Sequence, residues 1–125
     1  MNGYLLTAGL LTTVVSAIHL VGGHFDPVRP LLACSLADVT KRTLHAVWHM
    51  VSVDLLATTA TLLSLAWWHP AGTELVAALT AARFAGYSLV FFVIALRMPD
   101  RAPLLRLPQW ILLAPIAILA ALGAS

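Results

Sequence analysis

The sequence predicts an all-α integral membrane protein: one domain over residues 1–125, built as a four-helix bundle in up-down-up-down order with short connections. Three observations carry this. The 125 residues are 61% hydrophobic and only 10% charged, and the mean hydropathy is +0.94, more apolar surface than a chain of this length can hide from water. A transmembrane helix takes roughly 20 apolar residues, so four of them with brief connections use nearly the whole length. The basic residues fall almost entirely in two connecting segments and leave long apolar stretches between them. A soluble catalytic domain has no room in this chain.

The first span covers residues 4–21, broken only by small or hydroxyl residues such as Thr12, Thr13 and Ser16, and Gly22-Gly23 is expected to end it. No Lys or Arg precedes it, unlike the basic start of a cleavable signal, so it is expected to remain in the mature protein. The connection that follows carries Asp26-Pro27, Arg29-Pro30, Cys34, Asp38, Lys41 and Arg42, with Leu31, Leu32 and Ala33 suited to a membrane surface. The second span, 43–68, ends on Trp67 and Trp68, aromatic residues that favour the interface. His69-Pro70-Ala71-Gly72 is short enough to fold the third span, 73–96, back beside the second as a hairpin. Arg97, Asp100, Arg101 and Arg106, with Pro99 and Pro103, separate it from a fourth span at 107–122, which Pro115 is expected to kink. The chain closes on Gly-Ala-Ser, with no tail expected for a soluble partner.

Lys and Arg set orientation. The first and third connections hold Arg29, Lys41, Arg42, Arg97, Arg101 and Arg106, whereas the second connection and both ends hold none. A multi-pass protein of the cell membrane with both termini outside the cytoplasm is the expectation. The formal charge of +2 does not point to nucleic acid, because the basic residues are scattered and form no single face. The lone Cys34 can form no intrachain disulfide.

Four histidines fall near one end of the spans: His19 a turn from the end of span one, His24 in the connection, and His45 and His49 at the start of span two. The last two are four residues apart and share a helix face, and an antiparallel span one could set His19 opposite them. With Asp26 nearby, the set suits a transition metal (Fe, Zn or Cu), or a haem ligated from two helices. The equally weighted alternative is that these imidazoles bond to water, headgroups or backbone near the cytoplasmic interface. The His-Glu-x-x-His pattern of zinc hydrolases is absent, as are the doubled histidines of membrane di-iron hydroxylases. Asp38 reads as an N-cap for span two and Asp26 before Pro27 as a turn former.

Asp54 and Arg83 form a second constellation, each about 15 Å into its span at 1.5 Å per residue. Nothing else at that depth is charged. An isolated charge there costs roughly 2.5–3.5 kcal/mol on insertion scales, which predicts a buried ion pair across the hairpin. It reads as a clamp fixing helix register, or as a proton relay or counter-ion for a ligand. Trp48, between His45 and His49, and Tyr87, deeper in span three, are packing residues that could also stack on a ligand.

Arg-Pro-Leu-Leu at 29–32, Leu44-His45-Ala46-Val47-Trp48-His49, and Leu107-Pro108-Gln109-Trp110-Ile111-Leu112 together resemble a group of small bacterial four-span membrane proteins for which no activity is established. The resemblance implies the fold and a bacterial inner-membrane setting and no catalytic residue. Three functions follow from the residues: a metal- or haem-binding membrane protein; a non-enzymatic subunit that forms homo-oligomers or joins a larger membrane complex through faces rich in Gly and Ala; and a small carrier using Asp54 and Arg83.

Overall fold

Each apolar stretch folds as helix. The structure, a computed structural model, describes residues 1–99 and 102–125, and no strand occurs among them. Asp100 and Arg101, counted above in the third connection, lie outside the described residues.

Helix α1 spans Gly3–Gly23 and is capped by Asn2, whose side-chain oxygen accepts from the backbone N–H groups of Tyr4 and Leu5 at 3.1 Å each. The regular α-helix ends at Gly22-Gly23 as expected, but the helical path does not. A glycine stops a helix by taking a left-handed conformation, and Gly23 stays right-handed at φ −63° and ψ −27°. The chain continues through one π-helical turn, His24–Val28, into α2, Arg29–Ala33. Pro27 sits in that wider turn, which accommodates a residue with no N–H to give.

Helix α3 runs Asp38–Trp68 and begins five residues before the predicted span. Asp38 is not the N-cap. Ala37 holds that position without a side-chain bond, and Asp38 lies in the first turn, where its charge faces the positive end of the helix dipole. The turn to α4, Thr73–Leu96, uses left-handed backbone at His69 (φ 42°) and Gly72 (φ 88°). A short α5, Pro103–Arg106, precedes α6, Gln109–Gly123, with Pro115 inside it. The stretches Gly3–Ala33, Asp38–Trp68 and Thr73–Leu96 are long and apolar enough to cross a membrane. At 15 residues α6 is shorter, about 22 Å against a hydrocarbon core of about 30 Å.

The packing order is α3 on α1, α1 on α6, and α6 on α4. The register of α1 against α3 is antiparallel throughout: Gly9 faces Leu63, Ser16 faces Thr59, His19 faces Ser52 and Gly23 faces Trp48. Gly9 allows the closest approach, because a Cβ there would stand 2.7 Å from a Leu63 methyl carbon. At the other seam, α4 buries Ala77, Ala81 and Phe84, and α6 buries Leu113, Ile116, Ala117 and Ala120. The alanines among them let the two backbones come together. Asn2 ties the terminal end, its backbone N–H donating to the Ala66 carbonyl and its side-chain amide to the Gly123 carbonyl at 2.9 Å.

The short turn had predicted α3 and α4 as packed neighbours, yet these two helices barely touch. A turn dictates connectivity and direction; contact area depends on the facing side chains. Here the seam is occupied by Arg83, too long and too polar to let the backbones close.

Candidate functional site

Arg83 reaches across the α3–α4 seam. One guanidinium nitrogen lies 2.9 Å from Asp54 Oδ1, and the other donates to Thr58 Oγ1 at 2.6 Å. Tyr87, one turn along α4 from Arg83, lies near the same carboxylate. Helical spacing builds this group, since Asp54 and Thr58 are one turn apart on α3 and Arg83 and Tyr87 are one turn apart on α4. The expected ion pair thus forms, with a difference in setting: the Arg83 side chain is 40% exposed and that of Asp54 27%. The pair spans an open seam and is not sealed inside the core.

That seam holds a cavity of about 270 Å³ lined by Thr61, Val76, Leu79, Thr80 and Arg83. Its position follows from helix direction. Thr61 lies nearer the hairpin turn than Thr58, and Val76, Leu79 and Thr80 lie nearer it than Arg83, whereas Asp54 and Tyr87 lie one turn farther away. Arg83 is therefore the lining residue of this open cleft farthest from the hairpin, with Asp54 one turn beyond it. Guanidinium carries five N–H donors, and Asp54 and Thr58 engage two. A second hollow, about 370 Å³ between α4 and α6, is walled mostly by Ala85, Leu89, Phe92 and Ala114, and its one hydroxyl, Ser88, already donates to the Trp110 carbonyl. It offers a ligand no free polar group of comparable kind.

The histidines meet a different neighbour. The His19 ring stacks on Trp48 with centroids 4.8 Å apart, and its Nε2 lies 3.0 Å from Ser52 Oγ and 3.3 Å from the Trp48 carbonyl. His45 and His49 stand 4.7 Å apart by ring centroid, and each also approaches Trp48. The predicted convergence of His19 with His45 and His49 is thus real in depth, but the indole is what they converge on. His24 contacts Phe25, and Asp26 lies exposed in the π-helical turn. Among the described residues no three His, Cys, Asp or Glu side chains form a group able to hold a metal ion. The Cys34 thiol donates to the Leu31 carbonyl at 2.8 Å. The indole Nε1 of Trp48 is buried with no hydrogen-bond partner among the described residues, close against Gly23.

Thr58, Tyr87 and Ser52 were not singled out for these roles from sequence. The signal was present: each lies three or four residues from a residue that was, Thr58 from Asp54, Tyr87 from Arg83 and Ser52 from His49, and so on the same helix face. Compared with known protein families, curated proteins and solved structures, the chain matches none, and the cleft is read from its own geometry.

Proposed function

We propose that this chain is a multi-pass membrane protein, with both termini outside the cytoplasm, that binds and carries a small polar solute in the cleft between α3 and α4. The observation that supports it is the double role of Arg83, which pairs with Asp54 and Thr58 and also lines a 270 Å³ cavity. Charged residues at mid-depth in a bilayer face the bundle interior or a water-filled path, and they mark routes for solutes and ions. A register clamp has no need of open volume beside it. Four helices are a small frame for a carrier, and assembly as a homo-oligomer would enlarge it.

The test is access. In a Cys34→Ala background reconstituted in vesicles, cysteines placed at Thr61 and Leu79 should react with a charged, water-borne thiol reagent, while one at Val14, an exposed α1 position that lines neither hollow, should not. Unreactive cysteines at both lining positions would show the cleft to be filled by lipid or protein and refute the solute reading. Asp54→Asn or Arg83→Ala should then abolish solute flux and leave a folded bundle, whereas a pure clamp would lose stability.

A metal or haem role for His19, His24, His45, His49 and Asp26 is the second reading, favoured by the 4.7 Å approach of the His45 and His49 rings. Two ligands from one chain need completion from a second copy or a bound cofactor. Near-stoichiometric iron, zinc or copper, lost in a His45→Ala/His49→Ala variant, supports it. Metal-free protein in both removes it.

A further inference from the structure

We infer that the solute taken by the α3–α4 cleft is a small organic monoanion, a carboxylate with a short apolar body, and that it is bound together with one proton that is held on Asp54. The inference rests on the solute-binding reading above and adds the charge, size and coupling of the ligand.

Three features of the cleft specify the ligand. The charged group lining the open volume is a cation, Arg83, while Asp54 lies one turn beyond it. A solute in the cleft meets the guanidinium as its charged group, and a carboxylate matches its fork of donors. The remaining walls divide between Val76 and Leu79, which suit a short hydrocarbon body, and Thr61 and Thr80. Of these two, Thr80 already donates to the Val76 carbonyl. The volume, about 270 Å³, lies just under the roughly 300–1,000 Å³ of ordinary small-molecule pockets. A lipid headgroup is a poorer match, because Arg83 stands ten residues, about 15 Å, into α4 from Thr73.

Coupling to a proton follows from charge balance. Empty, the site is neutral, one guanidinium against one carboxylate. Adding an anion would leave a net negative charge at mid-depth, where isolated charge is costly. The balance is restored when a proton from water adds to Asp54: the guanidinium turns its donors to the incoming carboxylate, and the neutral Asp54 carboxyl stays beside Tyr87. One anion and one proton enter, no covalent bond within the ligand changes, and the occupied site is again neutral. Among the described residues, Arg83 is the charged group paired with Asp54. Arg83 and Tyr87 are what α4 presents to Asp54, and Thr58 stands beside it on α3. α6 carries no titratable residue, and in α1 the imidazole of His19 is engaged with Ser52 and Trp48 while Tyr4 lies at the opposite end.

The experiment is calorimetric titration of the purified full-length protein in mild detergent with acetate, butyrate and benzoate. It is repeated in two buffers of different ionisation enthalpy so that the proton count is read directly from the wild type. Butylamine and butanol serve as cationic and neutral probes. The expected result is saturable binding of at least one carboxylate, about one proton taken up per anion, and affinity that falls as pH rises. Asp54→Asn, a stand-in for the protonated carboxyl, should bind the same anion with no proton uptake and no pH dependence, and Arg83→Gln should not bind it. Anion binding without proton uptake by the wild type overturns the coupling. Saturable, Arg83-dependent binding of butylamine or butanol but of no carboxylate overturns the ligand class and leaves the solute reading standing. No binding of any probe, with the cleft cysteines unreactive, overturns both.

Discussion

Replacing Gly9 by alanine adds one methyl group where α1 and α3 approach most closely. That methyl would stand 2.7 and 2.9 Å from the Leu63 Cδ2 and Cγ atoms and 3.2 Å from the Leu63 backbone nitrogen. The side chain can swing aside; the backbone nitrogen moves only with its helix. Overpacking a close-packed site costs about 1–3 kcal/mol, and a clash that reaches backbone belongs in the upper half of that range. Alanine recovers about 1 kcal/mol through its better helix propensity, leaving a net loss of about 1–2 kcal/mol. Gly86→Ala is the internal control, since a Cβ at Gly86 meets nothing within 4 Å and should stabilise by about 0.5–1 kcal/mol. Both variants can be followed by tryptophan fluorescence and circular dichroism during sodium dodecyl sulfate titration of mixed micelles. Leu63→Ala should relieve the clash, so the double variant should exceed the additive sum by more than about 0.5 kcal/mol. A Gly9→Ala protein as stable as Gly86→Ala, or strict additivity with Leu63→Ala, would refute the close α1–α3 contact.

Two further substitutions test the ends of the same seam. Asn2→Ala removes the N-cap of α1 and the amide bond to the Gly123 carbonyl, and should cost about 1–2 kcal/mol in the same titration. The amides of Tyr4 and Leu5 should then exchange with deuterium faster, and unchanged exchange would count against the cap. His19→Phe and Ser52→Ala should each destabilise and show a coupling of about 0.6 kcal/mol, at most about 1.7, in a double-variant cycle; additivity would mean that the 3.0 Å contact contributes nothing.

Hydropathy and turn chemistry carried much of the fold. The third apolar stretch, expected at about 73–96, folds as the helix Thr73–Leu96, with Pro70 and Gly72 before its start and Arg97 after its end. Asp54 and Arg83 could be paired from sequence since, alone at that depth, each was the other's only available counter-charge. Three things were hidden. Gly22-Gly23 ends the regular α-helix, but Gly23 stays right-handed and the chain runs on through a π-helical turn, which residue type alone does not reveal. The rotation of each helix about its axis, about 100° per residue, decided that His19 meets Trp48 and Ser52. The open seam was the third, because a short turn says which helices are consecutive and nothing about how much surface they share.

The order α3–α1–α6–α4 also bears on how the molecule is made. The first partnership to form joins α1 to α3, both of which leave the ribosome before α4 is synthesised, and the second joins α4 to α6. Each half can thus assemble from what is already present, and α1 against α6 is the main late docking that unites them, with the Arg83 bonds to Asp54 and Thr58 added across the α3–α4 seam. Since α3 and α4 share little contact beyond those bonds, the loop at His69–Gly72 works as a tether between two halves. A chain cut there and expressed as two fragments should still reassemble.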